Sequence, residues 1–415
     1  MKVLHTSDWH LGRSLYGQKR YVEFGQFLDW LSETIEAEQI DILLVAGDIF
    51  DTSAPSNRAQ SLYYQFLCRV AASPCRHIIV IAGNHDSPTF LDAPKALLRS
   101  LDVHVIGAAA ENIDDEILLL KDAEGCAELL VCAVPYLRDR DIRQVQAGES
   151  LADKDHNLLE GIRNHYHQVA ERAESQRKTL GLDIPIIAMG HLFTAGGQTI
   201  DGDGVRELYV GSLAHVHASI FPPCIDYVAL GHLHVPQKIG GVEHMRYSGS
   251  PLAMGFGEAT QQKSVCLVDF SHFTNAGEAK PAVKLLDVPV FQQLRKVSGD
   301  WAEIASQLLS LVDSNDPVWL EVIYQGDEIV SDLRERLETL VEGSELLILR
   351  IQNTRLIDRV LNASHADESL EDLDVDDVFA RCLAAHEIPE AQQADLLHTY
   401  QQTLSSIHND DTQAE

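Results

Sequence analysis

Five short apolar runs in this 415-residue chain end in polar clusters of the same kind. "KVLHTSD" leads to Asp8 and then His10, "DILLVAGD" ends on Asp48, and "HIIVIAGNHD" ends on Asn84, His85 and Asp86. "PIIAMGH" closes on His191, and "DYVALGHLH" on His232 and His234. Carboxylate, amide oxygen and imidazole together suit hard or borderline divalent cations such as Mn²⁺, Fe²⁺ or Zn²⁺. Asp8, His10, Asp48, Asn84, His191, His232 and His234 exceed the three or four protein ligands one catalytic ion takes, so two ions are expected. Two ions about 3.5–4 Å apart clamp a phosphoryl centre and lower the pKa of a bridging water. A bridge needs two sets of lone pairs, and Asp48 is the candidate. Gly47 is expected to leave room for the ions beside the backbone. Asp8 and His10 are two residues apart, as are His232 and His234, so an extended chain would point each pair to one side. His85 directly follows Asn84 and should point elsewhere. It is expected to hydrogen-bond the phosphate oxygens or protonate the leaving alkoxide, with Asp86 orienting the loop or His85 itself.

The elements that must position these residues are legible too. Continuous apolar runs, unlike alternating ones, indicate strands covered on both faces, as inside an α/β sandwich. "VEFGQFLDWLSETIEAEQ" and "RAQSLYYQFLCRVAAS" carry apolar residues at helical spacing between the first three runs, giving a β-α-β-α-β opening. Ligands in open α/β sheets gather beyond the carboxyl ends of the strands, so the polar endings should converge. "LLVCAVPYL" reads as a strand, 151–180 as a polar helix, and "VCLVDF" and "AVKLLDVPV" as strands of a second sheet. Beyond about residue 287 the polar endings stop. "DWAEIASQLLSLV", "VWLEVIYQ", "VSDLRERLETLVEG" and "ELLILRIQ" alternate helix and strand, which predicts a small separate α/β domain over 288–352. From 353 to 415 only helical patterns remain, too poor in apolar surface for a core of their own and expected to dock on something else. The first domain is then 1–287.

Composition limits the choices. With 45% hydrophobic residues the chain is of the globular class, and no apolar run approaches the roughly 18 residues of a membrane helix. No apolar core of a signal peptide precedes Asp8, so the cytoplasm is the expected location. Seven cysteines, odd in number and never spaced C-x-x-C, read as reduced thiols. The net charge is −31, and 367–415 alone holds thirteen acidic residues and one Arg. Metal ions can supply local positive charge, yet this chain alone should grip DNA weakly and a partner should supply the hold. Arg13, Lys19 and Arg20 read as solvated charges. His5, His77, His104, His215, His217 and His244 lack the strand-end context of ligands, although His215 and His217 form a second H-x-H.

The order D-x-H, GD, GNHD, GH, GHxH resembles the calcineurin-like metallophosphoesterases. Local sequence narrows this further. "HTSDWHLGRSLYG", "AGDIFDTSAPSNRA", "AGNHDSP" and "YSGSPLAMGFGE", together with "PYLRDRDI", "DPVWLEV" and "LEDLDVDDVFARCLA", resemble the family of SbcD nuclease subunits over nearly the whole chain. The resemblance implies a calcineurin-like β-sandwich flanked by helices, a small α/β capping domain on the DNA side and a C-terminal helical partner-binding segment. It implies one metal on Asp8, His10, Asp48 and His234, a second on Asp48, Asn84, His191 and His232, and His85 as the catalytic histidine that is not a ligand. Mn²⁺ is the implied ion, with Mg²⁺ as the alternative. The implied activity is ATP-dependent 3′–5′ exonuclease action on duplex ends plus endonuclease action on single strands and hairpins, in DNA repair, recombination and replication. ATP would act only through the SbcC ATPase, docked on the C-terminal helices, and two nuclease domains would pair as a homodimer. Archaeal and eukaryotic relatives carry a His three residues after the bridging Asp, where this chain has Asp51, so no role of that His is carried over. The competing reading is a metallophosphodiesterase acting on nucleotides or other small phosphodiesters; "GDIFDTS" and "GNHDSP" differ from the "GDxVDRG" and "GNHE" of protein phosphatases.

Overall fold

A computed structural model describes residues 1–142, 150–194, 218–273, 280–326, 330, 332–353 and 400. Two compact units divide the chain, Met1–Phe291 and Gln292–Glu415.

The first unit opens with β1 (Lys2–Thr6), the short hairpin of β2 (Ser14–Leu15) and β3 (Gln18–Lys19), α1 (Tyr21–Glu38), β4 (Ile42–Ala46), α2 (Asn57–Ala71) and β5 (His77–Ile81). Two single-turn helices, α3 (Pro88–Asp92) and α4 (Lys95–Arg99), lead to β6 (Val103–Ile106), followed by β7 (Ile117–Lys121), β8 (Ala127–Ala133), the short α5 (Asp139–Ile142) and the long α6 (Leu151–Leu180). Then come β9 (Ile186–His191), β10 (Tyr227–Gly231), β11 (Gln237–Ile239), β12 (Val242–Tyr247), β13 (Ser264–Asp269) and β14 (Ala282–Asp287). The opening alternation and the polar helix over 151–180 match the sequence reading.

These strands form two mixed sheets of six, in the orders β14-β13-β1-β4-β5-β6 and β11-β12-β10-β9-β8-β7. One expectation is corrected. "VCLVDF" and "AVKLLDVPV" do not start a second sheet; β13 runs antiparallel to β1, with Val3 opposite Val268, and β14 extends the same edge. The second sheet is instead built around the parallel strands β8, β9, β10 and β12.

Alternation along β4 shows why its whole run is apolar. Ile42, Leu44 and Ala46 face the other sheet, where they meet Val131, Ile187 and Met189. Leu43 and Val45 face outward onto Phe24, Phe27 and Leu31 of α1 and Phe66 and Leu67 of α2. On the far side, Ile162, Tyr166 and Val169 of α6 cover Ile186, Ala188, Val228 and Leu230. Each such buried Leu, Ile or Phe contributes roughly 1.5–3 kcal/mol, so both sheets are held in place from both faces. Helix ends follow local rules: Ser56 caps α2 by accepting from the Ala59 N–H, Ser150 and Asp153 form a capping box on α6, and Gly181 closes α6 at φ +63°. His5 is a satisfied core histidine, its ring bonded to the Tyr227 hydroxyl at 3.0 Å and the Leu230 carbonyl at 3.1 Å across the two sheets.

The second unit contains a parallel sheet of β15 (Gln293–Gly299), β16 (Val318–Tyr324) and β17 (Leu346–Asn353) in sequential order. It packs with α7 (Trp301–Ser314) and α8 (Leu333–Val341) around Val297, Ile304, Leu308, Leu320, Val322 and Leu337. The alternating helices and strands were legible in the sequence; β15 was not. The expected helical segment at 353–415 lies almost wholly outside the described residues, as do His215 and His217.

Candidate metal and phosphoester site

Five strands deliver polar residues to one end of the sandwich in the first unit. Asp8 and His10 follow β1, Asp48 follows β4, and Asn84 and His85 follow β5, all in the first sheet. From the second sheet, His191 ends β9, and His232 and His234 follow β10. Cross-sheet hydrogen bonds fix the convergence. The His232 N–H donates to Asp8 Oδ1 at 2.9 Å, His191 Nδ1 meets the Ala46 carbonyl at 2.9 Å, and Asn84 Oδ1 lies 3.0 Å from His191 Nε2 and 3.2 Å from His232 Nδ1. All seven expected ligands are brought together.

Six of them fall into two neighbouring groups of possible ligand atoms, Asp8 with His10 and His234, and Asp48 with His191 and His232, and Asn84 Oδ1 lies beside the second. His10 Nε2 and His234 Nε2 face each other at 3.2 Å. Asp48 reaches both groups: its Oδ2 is 3.5 Å from His10 Nε2 and 3.3 Å from His191 Nε2, while Oδ1 accepts the His85 N–H at 2.9 Å. The Ala46 carbonyl takes the Nδ1 proton of His191, which turns the Nε2 lone pair toward Asp48 and Asn84. Such backbone acceptors behind an imidazole are the usual way a metal-ligating tautomer is fixed.

His85 turns from the second group and stands beside the first, where one of its ring nitrogens forms a further possible ligand group with His10 and Asp51. Its Nδ1–H donates to the Asp51 carbonyl at 2.7 Å, and its ring lies edge-on to His10 with centroids 4.8 Å apart. Asn84 and His85 therefore diverge as expected. Asp86 accepts from the backbone N–H groups of Gly83, Ile49 and Phe50, tying the loop after β5 to the loop after β4.

The backbone is where geometry departs from the sequence reading. Asp8, His10 and Asp48 have φ of +54°, +47° and +50°, and His232 has φ +104°. The two-apart pairs do not reach inward from extended chain; each is turned inward by a left-handed residue. Such conformations cost of order 1–3 kcal/mol each and persist only where surrounding structure holds them. Here the Asp8 N–H bonds to the Gly47 carbonyl and the His10 N–H to the Asp48 carbonyl, both at 3.0 Å. Gly47 also has a different job from the one expected. At φ +87°, a Cβ there would lie 2.4 Å from His191 Nδ1 and 2.9 Å from the Gly83 Cα, so its space goes to the imidazole and the neighbouring loop. At Gly83 a Cβ would lie 2.1 Å from Asp48 Oδ1.

Electrostatics mark the cluster as unusual. Asp8 and His10 are fully buried and Asp48, His191, His232 and His234 are at most 2% exposed. Burial raises the Asp8 carboxyl to about 7, with neighbouring Asp48 adding to the rise. Burial opposes charge on His191, yet Asp48 and Asp8 hold its imidazolium up to about 9. Asp48 resists the upward push of burial, and His191 and His10 hold it well below the usual carboxylate range. Burial, then His191, pushes His232 down to about 3. Without metal, the His191 imidazolium is the positive charge that balances Asp48, a place a divalent cation can take once that proton is released. His232 Nε2 is a buried nitrogen with no hydrogen-bond partner among the described residues. The residues fit divalent metal ions.

Several supporting groups were missed by sequence reasoning. Asp51 Oδ1 lies 3.3 Å from His10 Nδ1, behind the ring; the spacing of three after Asp48 was visible, but only the turn brings Asp51 to His10. Ser7 Oγ donates to Asp8 Oδ2 and meets Ser248 Oγ at 2.8 Å. Glu258, fully buried, lies 3.8 Å from His234 Nδ1 and is ion-paired to Lys263. Arg20, read as a solvated charge, is buried and bonded through two nitrogens to Glu23.

A family model described as "Calcineurin-like phosphoesterase" matches residues 1–236, and one described as "Type 5 capsule protein repressor C-terminal domain" matches residues 290–387. The SbcD subunit of the nuclease SbcCD from Escherichia coli strain K12 is 38% identical over 409 residues, covering 98% of each chain. Its namesake from Rhodobacter capsulatus is 34% identical over 367 residues, covering 86% of this chain and 88% of the relative. That of Bacillus subtilis strain 168 is 39% identical over 274 residues, 65% of this chain and 66% of the relative.

Proposed function

The chain belongs to the calcineurin-like phosphoesterases and, within them, to the SbcD nuclease subunits, and on that premise we propose that it cuts DNA with two Mn²⁺ ions in complex with an SbcC ATPase. The observation that carries the two-ion reading is the position of Asp48 Oδ2, within 3.5 Å of an imidazole nitrogen from each ligand group. In this assignment Asp8, His10 and His234 hold one ion, Asn84, His191 and His232 hold the other, and Asp48 is shared. When bound, such ions polarise a phosphoryl oxygen and supply a hydroxide near neutral pH.

The chain's own residues do the rest. Asp51 orients His10, and the Ala46 carbonyl orients His191. His85 keeps Nδ1–H on the Asp51 carbonyl, so in its imidazolium form the second N–H, on Nε2, can donate to the scissile phosphate and pass its proton to the departing alkoxide, leaving the neutral ring. The net charge of −31 argues that DNA is gripped chiefly by the partner. In the same reading 288–352 caps the DNA side, 353–415 docks the ATPase, and two nuclease domains pair as a homodimer. The activity is ATP-dependent 3′–5′ exonuclease on duplex ends and endonuclease on single strands and hairpins, with ATP consumed only by the partner. The setting is the cytoplasm; among the described residues no helix is long and apolar enough to cross a membrane.

The test is cleavage of an end-labelled hairpin with Mn²⁺, with and without the ATPase and ATP. Cleavage that requires the metal and is stimulated by the ATPase is expected. No cleavage under either condition, with hydrolysis of bis-p-nitrophenyl phosphate intact, would overturn the DNA assignment in favour of a small phosphodiester substrate.

A further inference from the structure

A second cluster of ligand-type residues stands at the opposite end of the first sheet, where β5 and its neighbour β6 begin. His77 opens β5, Asp102 immediately precedes β6, and His104 is the second residue of β6. In the parallel register Ile79 lies opposite His104 and Ile78 opposite Val103, so His77, Asp102 and His104 belong to one face of the sheet. That face is the inner one, since Ile79 lies in the core between the sheets. One ligand atom from each of the three residues lies within 4.8 Å of the others.

The hydrogen bonding of the two rings is incomplete in an informative way. His77 Nε2 meets the Lys121 carbonyl, at the end of β7 in the other sheet, at 2.9 Å. A carbonyl can only accept, so Nε2 carries the proton and Nδ1 presents a lone pair. That Nδ1 is shielded from solvent and, among the described residues, has no hydrogen-bond partner, and neither ring nitrogen of His104 has one there. Buried polar nitrogens left unpaired each cost about 1–3 kcal/mol, and three in one cluster call for an occupant. Asp102 adds an exposed carboxylate from a left-handed backbone at φ +55°.

We propose that His77, Asp102 and His104 form a second, non-catalytic site for a borderline divalent cation of the Zn²⁺ class. Two imidazoles and one carboxylate with an open fourth position are a common zinc ligand set. The Lys121 carbonyl acts behind His77 as backbone acceptors do behind zinc-bound histidines, so the ion would fasten the β5–β6 edge of one sheet to the β7 end of the other. The inference is independent of the phosphoesterase assignment, because these residues lie apart from the seven ligands at the other strand ends. A buried water is the competing occupant.

The test counts Zn²⁺ bound to the full chain, stripped with chelator and titrated against a chromophoric competitor. Zinc taken by the strand-end site is common to every variant, so the difference isolates the second site. Wild type is expected to bind one equivalent more than His104→Gln. Asp102→Asn should weaken that equivalent at least tenfold. The exposed Asp102 can be changed without opening the core, and Asn tolerates left-handed φ, so this variant decides the matter should His104→Gln fail to fold. Equal stoichiometry and affinity in wild type and Asp102→Asn would overturn the proposal and leave water as the occupant.

Discussion

Replacing Asn84 and His85 one at a time separates metal holding from proton delivery. Asn84 Oδ1 is within 3.2 Å of both His191 and His232, so Asn84→Ala removes a neutral oxygen from between two imidazoles. The loss of one such group should weaken Mn²⁺ by about 10–100-fold, or roughly 1.4–2.8 kcal/mol. His85 shares no atom with that pair. Its side chain is bonded to the Asp51 carbonyl, and the nitrogen left over is the proposed proton donor. Removing a positioned general acid costs about 10²–10⁴-fold in rate, equivalent to about 3–5 kcal/mol of barrier. The lost Asp51 bond should cost only about 1 kcal/mol of stability. The assay pairs free-Mn²⁺ measurement by electron paramagnetic resonance with hairpin cleavage in the presence of the ATPase and ATP. Excess Mn²⁺ should restore Asn84→Ala toward the wild-type rate and leave His85→Ala slow at saturating metal. His85→Gln, which can donate a hydrogen bond but no proton, should be as slow as His85→Ala if proton transfer dominates. A His85→Ala protein that cuts at the wild-type rate, or one that loses Mn²⁺ as severely as Asn84→Ala, would refute the division of labour.

Other perturbations follow from the same geometry. Gly83→Ala puts a methyl group 2.1 Å from Asp48 Oδ1, so the β4 and β5 loops must separate; a stability loss of about 1–3 kcal/mol in urea melts and at least a 100-fold fall in cleavage are expected, and an unchanged Mn²⁺ titration would contradict the packing. For the metal-free protein, Asp8 is raised to about 7 and His191 to about 9, so both bind protons more tightly folded than unfolded. Their contribution is complete below the unfolded values and lost as pH rises, through about 7 for Asp8 and about 9 for His191. Asp48 runs the other way, its contribution being present above the usual carboxylate range and lost in acid. Buried neutral histidines such as His232 and His5 add stability as pH rises through about 6.5. Melting temperature without metal should therefore fall from pH 7.5 to 9, where the His191 and Asp8 contributions still change, while Mn²⁺ affinity climbs as the His191 proton is displaced; calorimetry showing a rise in metal-free stability over that window would reverse the sign. Lys263→Met strips the buried Glu258 of its cation, and a loss of about 3–5 kcal/mol is expected from denaturant titration.

Much of this protein is written locally in its sequence. Strands covered on both faces leave uninterrupted apolar runs, and β4 reads that way because alternate residues go to two different cores. Polar endings on five such runs single out Asp8, His10, Asp48, Asn84, His191, His232 and His234 as candidate ligands because their types suit the chemistry of cations, with His85 beside them. What the sequence could not determine was set by contacts between distant segments. Pairing of β13 with β1 depends on backbone hydrogen bonds across more than two hundred residues, and no local pattern distinguishes it from a new sheet. The inward turn of Asp8, His10, Asp48 and His232 relies on positive φ values that these residues do not favour alone. They are held by the Gly47 and Asp48 carbonyls and by the close approach of glycine-bearing loops. Asp51 acquires its contacts with His10 and His85 only through that turn. Sequence determined which side chains could bind a metal ion, whereas only the tertiary structure decided how they face one another, because the strained backbone that aims them is stabilised by the surrounding fold and not by the residues themselves.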